Sequence, residues 1–591
     1  MAEEEKDKKE KKKKISSNDT EAGFIKQLQI AYNALDDRNE FYKKVIFPLI
    51  FLSIIIFIMP FILEMIIPFP LTLNPFTFVI GGIIPIFLGV FYPFIIWKNK
   101  ETDINAKMHF FITHLRVLAI SDFSLLDILK MLGGKKVYGS LGEELKKISV
   151  LSSKWRMPLS KSFRFISERT PSKLLKDFLD RFSQSLDSGV EHREFIETEQ
   201  DAVLEEYKTM YETSNENIVI LNEVYVSLLI AIIFVMSLGI VLPIIMGSEN
   251  MNTFIYLSSF LLIISEGLLL YLLKSMIPPD EIWHLTGEKS QTEYKLDKLF
   301  RITLIASILL GTILFLSKYY FSLDVVETLP FELIIALSMS PLILVGIKTF
   351  DEERKISRKE SNFLGFIPAL GSISAMRGGQ INESVYYLSE KDYGVLTKHV
   401  KDLYKRLRTR IDDDDAWEWF GVDSGSNYIQ RASEMFREST YAAANPRKAG
   451  KMIAENIRKI RDLRFKKLTI INTSISLFAG ITFGISFAIY ISLVIGRHLN
   501  DIMIESGKPL EGTEGMGGIS SILHTIPPES YQNNFIIVFL VLVIHCFLMA
   551  YTLKMIRGSH RYLTLLFFVP FVWIVAATSM AVQKIIGGML A

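Results

Sequence analysis

Glu266 and His545 are the side chains best placed for acid–base chemistry. Each lies deep inside an apolar stretch, the carboxylate within Ile263 to Leu272 and the imidazole within Phe535 to Leu553. A carboxylate held in hydrocarbon is costly, so it is protonated, paired or set along a polar path. The two form a candidate intramembrane polar pair. Such a pair can relay protons in a transporter or fasten helices in a scaffold, and isolated polar residues in spans commonly do the second. Nothing else converges on a reaction. Gly134-Lys135, Gly450-Lys451 and Gly507-Lys508 all fail the G-x-x-x-x-G-K-[ST] pattern that cradles nucleotide phosphates. His109 and His114 are five residues apart, which turns them to different faces of a helix, and H-E-x-x-H is absent. With Cys546 as the sole cysteine, a disulfide framework or multi-cysteine metal site is excluded. The expectation is a chain that is not an enzyme and carries no cofactor or metal.

The remaining candidates are charge clusters suited to contact. Lys401, Lys405, Arg406, Arg408 and Arg410 form a basic run on one helix, followed by Asp412 to Asp415 and then Trp417 and Trp419. A basic helix end followed by an acidic N-terminus is ordinary helix electrostatics; the sharper reading makes the run a dock for acidic residues of a partner. A second contrast separates two membrane entries. One helix carries Glu191, Glu194, Glu197, Glu199, Asp201, Glu205 and Glu206, while another carries Arg458, Lys459, Arg461, Arg464, Lys466 and Lys467. Basic residues beside a membrane follow from topology and suit anionic lipid, but acidic ones do not. Glu197 and Glu205 on one side, and Arg458, Arg461, Arg464 and Lys467 on the other, are therefore candidates for contacts between lobes or protomers, or with lipid, the alternative being simple solvated faces.

These residues need a membrane scaffold, and composition supplies one. The chain has 591 residues, 49% of them hydrophobic, with several separated apolar runs of the length, about 20 residues, that a spanning helix needs. Sixty-six basic and 64 acidic residues leave a net charge of +2, so no global bias toward nucleic acid exists. Nine spans are predicted: Val45 to Ile67, Phe76 to Trp97, Ile218 to Met246, Phe254 to Leu273, Ile302 to Leu316, Phe331 to Ile347, Leu468 to Ile495, Phe535 to Leu553, and Tyr562 to Ala581. Residues 1–44 form a Lys/Glu-rich tail, without a cleavable signal peptide, and an amphipathic helix. With a cytoplasmic N-terminus, the outer loops hold only Lys318, Arg497 and Lys508, and Lys584 lies near the C-terminus. The positive-inside rule then places the charged inserts in the cytoplasm and the C-terminus outside.

Those inserts, 98–217 and 348–467, are two copies of one pattern. Lys136, Tyr138, Gly139 and Leu141 match Lys391, Tyr393, Gly394 and Leu396, and Gly133-Gly134 matches Gly378-Gly379. Apolar residues recur at helical spacing, through Phe110, Phe111, Leu115 and Leu118 in one and Phe363, Leu364, Ile367 and Leu370 in the other. The expected fold class is all-α, with each insert a helical bundle. Transmembrane pairs at 45–97 and 218–273 flank the first. A connector at 274–301 leads to the pair at 302–347, and 468–591 supplies three further spans and an external loop at 496–533. Each module has an even number of spans, so the repeat is parallel.

Duplicated helical lobes opening with Phe110-Phe111 and Phe363-Leu364, bearing acids at matching places in Asp127 and Glu383, and each followed by a membrane pair, resemble the type II secretion system F domain family. Its members are inner-membrane platforms of type IV pili and secretion pseudopili, and the length, span number and charged tail look most like its archaeal branch, which assembles the archaellum. The resemblance implies a multi-pass platform that couples a hexameric secretion ATPase, docked on the cytoplasmic lobes, to assembly, and also rotation, of a filament of pilin-like archaellin subunits. It further implies contacts with other archaellum motor components and membrane lipids, and none with nucleic acid. Two lobes per chain cannot match a six-fold ring one to one, so a homodimer presenting four lobes, the expected state, or a monomer presenting two would meet the ring with a symmetry mismatch. The alternatives are the platform of a non-motility archaeal pilus, a secondary transporter, and a membrane enzyme. Few intramembrane charges and the lack of a convergent catalytic set disfavour the last two.

Overall fold

The computed structural model describes residues 32, 41–51, 53–54, 75–121, 123–246, 251–320, 329–409, 412–506 and 528–590. The tail, most of the expected amphipathic helix, most of the span Val45 to Ile67, residues 507–527 of the expected loop and Arg410 lie outside the described residues. Helices run in the order α1 (Pro75–Ala119), α2 (Leu125–Gly133), α3 (Gly139–Ser153), α4 (Leu159–Ser167), α5 (Lys173–Asp187), α6 (His192–Met246), α7 (Met251–Met276), α8 (Gln291–Tyr319) and α9 (Phe331–Met339). They continue with α10 (Ile343–Met376), α11 (Ile381–Ser389), α12 (Thr397–Arg408), α13 (Asp413–Ser424), α14 (Asn427–Tyr441), α15 (Pro446–Ser506), α16 (Pro528–Arg557) and α17 (Thr564–Leu590). The chain is all-α: among the described residues the only β contact is an isolated antiparallel bridge between Trp283 and Ser426.

Local chemistry sets the helix ends. The Ser172 hydroxyl accepts from Leu175 N at 3.0 Å to start α5, and Asp412 caps α13 by accepting from Asp414 N at 2.8 Å. Ser290 and Glu293 close a capping box on α8. The repeated Tyr-Gly string has a backbone reason. Gly139 and Gly394 take φ of +46° and +56°, in a region where a side chain would be strained. A Cβ on Gly394 would lie 2.7 Å from the Asn362 amide.

The chain forms two compact units, which do not follow the repeat boundaries. One is Met1–Lys107 with Leu129–Val190; the other is Met108–Ile128 with Glu191–Ala591. In the first, α3, α4 and α5 pack on a core of Leu141, Leu145, Phe163, Phe178 and Phe182. In the second, α6, α7, α15, α16 and α17 share a core that includes Leu229, Leu262, Phe478, Leu542 and Val572. Glycines let α10 and α15 cross closely there: a Cβ on Gly371 would meet Pro446 O at 2.3 Å, and one on Gly450 would meet Ile367 O at 2.7 Å.

Among the described residues, seven helices are long and apolar enough to cross a membrane, and they correspond to the last seven of the nine expected spans. Phe76 to Trp97 falls within α1. Helix extends into both ends of the stretch read as the loop 496–533, because α15 continues to Ser506 and α16 begins at Pro528.

Candidate functional site

The second unit places Glu266 on α7 directly against His545 on α16, the carboxylate Oε1 bonded to Nδ1, with both side chains fully buried. Two further spans close the cluster. The Tyr225 hydroxyl of α6 donates to Glu266 Oε1 at 3.1 Å, and Thr482 of α15 contacts His545 Nε2 at 3.3 Å. Glu266 Oε2 has no hydrogen-bond partner among the described residues. Four apolar helices thus meet on one polar group, which suits fastening in a medium where helices gain little from apolar contact with one another.

Nearer the charged lobes, α6 and α15 run side by side. Lys459 pairs with Asp201 at 3.4 Å, Lys466 with Glu212 at 2.8 Å, and Asn222 donates to Ser474 at 2.9 Å. The sequence offsets of the three contacts are 258, 254 and 252. So nearly constant an offset means that the equivalent helices of the two repeats are parallel. Of the residues singled out in the sequence, Glu197 faces Arg116 at 3.0 Å and Glu205 faces Lys208 at 2.7 Å. Neither meets α15 through these bonds. Arg116 and Glu197 line a cavity of about 380 Å³ with Arg193, Lys448, Lys451 and Glu455. Arg458 is exposed, and Arg461 leaves one buried guanidinium nitrogen without a hydrogen bond among the described residues.

Arg464 and Lys467 turn inward, to a node that the sequence did not announce. Arg464 grips Asp280 with Nε at 3.0 Å and Nη2 at 2.5 Å, and reaches Glu360 at 3.5 Å. Tyr211 and Tyr428 each donate to Asp280 at 3.0 Å, and the Ser426 hydroxyl donates to Glu360 at 2.6 Å. Lys467 lies 5.6 Å from the Tyr211 ring centre. Burial alone would raise the Asp280 pKa, but the charge and hydrogen bonds of Arg464, then Lys467 and Tyr428, outweigh it and hold the carboxyl well below the usual carboxylate range.

Asp280 belongs to the connector, which is clasped from both sides. Ile282 N donates to Gly558 O at 3.1 Å, Asn427 N to Ile282 O at 3.1 Å, and His284 N to Gly425 O at 3.1 Å. Buried Glu353 binds the clasp to α10, accepting from Trp283 Nε1 at 3.2 Å, Ser559 at 3.0 Å and His560 N at 3.0 Å. The only sequence signal was the Pro278-Pro279-Asp280-Glu281 string, an acidic pair where a rigid turn begins. On its own that string marks a turn and assigns Asp280 no partner.

The basic run on α12 is partly satisfied within its own lobe. Lys405 pairs with Asp402 at 3.2 Å and Arg406 with Asp423 at 2.5 Å, whereas Lys401 and Arg408 are exposed. Asp414 pairs with Arg437. His114 meets Glu438 at 3.2 Å, and among the described residues no group of three or more His, Cys, Asp or Glu could hold a metal ion.

Comparison with known proteins agrees with this architecture. The family described as "Type II secretion system (T2SS), protein F" matches residues 111–240. "Flagella accessory protein J" of Methanocaldococcus jannaschii is 31% identical over 554 residues, covering 93% of this chain and 96% of that one. The protein of the same name from Methanococcus voltae is 32% identical over 501 residues, covering 84% and 88%. No solved structure matches the chain.

Proposed function

The chain belongs to the flagella accessory protein J family, and from that premise we propose that it is the non-enzymatic membrane platform of an archaellum, coupling a cytoplasmic ATPase to filament assembly. The likeness along 93% of the chain to a flagella accessory protein carries this reading. The geometry supports the coupling. Helices α6 and α15 hold 55 and 61 residues, about 80 and 90 Å at 1.5 Å per residue. Each runs unbroken from a charged segment into the apolar bundle, so a push on one end is delivered at the other. In this reading the N-terminus and both lobes are cytoplasmic, the C-terminus is outside, and a homodimer presents four lobes to a hexameric ATPase. Archaellins and other motor components meet the platform in the membrane and the cytoplasm. The polar cluster at Glu266 and His545 locks four spans, which favours a scaffold over the secondary transporter reading.

A deletion strain tests the platform assignment. It should lack filaments and motility, and the intact gene should restore both; a motile, filamented deletion strain would overturn the archaellum reading. A pilus platform without a motility role is the alternative, and it predicts loss of surface adhesion with swimming intact. The role of the α6–α15 seam is tested in the same strain. Lys459→Glu with Lys466→Glu should fail to restore filaments, and adding Asp201→Lys with Glu212→Lys should recover them. Failure of that rescue would leave the pairs as solvated surface.

A further inference from the structure

We infer that the outward stripe of α4, with the turn that precedes it, is a docking surface for a protein partner presenting an acidic face, with Trp155 as its apolar anchor. The inference rests on the cytoplasmic placement of the first lobe proposed above. Residues 146–176 contain nine lysines and arginines and a single acid, Glu168. On α4, Ser162, Phe163, Ile166 and Ser167 are buried, which turns Lys161, Arg164, Phe165 and Glu168 outward at helical spacing. Just before the helix, Trp155 is 74% exposed. Arg156 beside it takes φ of +52°, sparsely populated for a side-chain-bearing residue. Backbone strain of this kind concentrates where a surface is used.

The charges are available. Lys154, Arg156, Lys161 and Arg164 are exposed and form no ion pair among the described residues, whereas Arg169 is occupied with Glu168 at 3.6 Å and stacks 3.7 Å from the Phe165 ring centre. The second lobe differs, because Arg406 and Lys405 are already neutralised by Asp423 and Asp402. A folded acidic partner fits better than a lipid surface. Helices that lie in a bilayer surface present a row of large apolar side chains. Here Phe165 is 39% exposed with Arg169 stacked on its ring, and Trp155 is the one large apolar side chain of the stripe and its turn that stands mostly free. One exposed tryptophan flanked in sequence by cations and followed by a helix face with two more has the composition of a protein hot spot with a charged rim.

Photo-cross-linking in the full-length protein, in its host membrane, tests this. With p-benzoylphenylalanine in place of Trp155, the expected result is one dominant protein adduct whose linked peptide is rich in Asp and Glu. Lys161→Glu with Arg164→Glu should weaken that adduct about tenfold or more, and reversing the linked acids on the partner should restore it. Both substitutions are on the solvent side of α4, so an unchanged melting curve shows that the lobe has kept its fold. No adduct, a lipid adduct only, or a protein adduct indifferent to the charge reversal would each overturn the inference. Topology is tested separately. Ser153→Cys, with Cys546 buried, should resist a membrane-impermeant maleimide added to intact cells; labelling there would overturn the cytoplasmic placement instead.

Discussion

At the scale of residues, Arg464 concentrates more structure than any other side chain of the site. It is buried and joins the connector at Asp280 to α10 at Glu360. Removing one partner of a buried, hydrogen-bonded ion pair leaves the other charge uncompensated, at about 3–5 kcal/mol. Arg464→Ala should therefore lower the detergent-solubilised melting temperature sharply. Arg464→Lys should recover little, since a point charge cannot grip both Asp280 oxygens at once; an unchanged melt for either variant would remove the node from the account. Acid attacks the fold by two routes. The Asp280 carboxyl titrates below its unfolded value, so its contribution is complete above about pH 4 and fades below it. Burial pushes the His560 and His399 imidazoles down to about 4, helped by neighbouring cations such as Arg561 and Lys359 respectively. The unfolded chain accepts those protons first, near pH 6.5, so stability is full above that value and falls as pH drops toward 4. A melting series from pH 7.5 to 4.5 should slope downward, and His560→Asn with His399→Gln should flatten it. Equal slopes with and without the histidines would sink the assignment.

At the scale of elements, the connector is the part that the sequence concealed. Its charges suggest a solvated link, yet Ile282 and Trp283 are buried with Val345, Ile356 and Tyr562, and the backbone is bonded on both sides. Gly558 makes the clasp feasible. Its φ is +68°, and a Cβ there would sit 1.9 Å from Asp280 O. Gly558→Ala should cost about 1–3 kcal/mol or more in strain and displaced backbone, whereas Gly267→Ala, with open space around its Cβ position, should be close to neutral. Proteolysis near residues 278–290 reports the difference, and equal protection in both variants would show the clasp to be unimportant. What could be read in advance had a periodic or a costly signature. Seven spans announced themselves by apolar length, and the meeting of Glu266 with His545 by the expense of isolated charge in hydrocarbon. The Tyr-Gly string marked the lobes because positive φ demands glycine. Asp280, Glu353 and Glu360 gave no such warning, because a carboxylate in a polar loop or on an amphipathic helix has the same pattern whether it faces water or a buried arginine.

At the scale of the molecule, duplication without inversion has a mechanical consequence. Equivalent helices α6 and α15 run the same way, so their facing polar groups pair in order along two ion pairs and one hydrogen bond from Asp201 to Asn222. The pair can move as one strut. Only 11% of the most apolar stretch of α8 is buried among the described residues, and Ile305, Ile308, Leu309 and Ile313 are exposed there, a face suited to lipid or a second copy. In the proposed reading each chain presents two unequal lobes, and a ring of six identical ATPase subunits could not engage two lobes, or the four of a dimer, equivalently. Contacts would then have to be made and released in turn as the ring cycles, which suits stepping. If the proposed hexameric ATPase is the partner, native mass spectrometry of the two together should find two chains per hexamer, and substituting Ile305 and Leu309 with tryptophan should shift the population toward one if α8 forms the dimer contact. Six chains per ring would eliminate the mismatch, and stepping by unequal lobes with it.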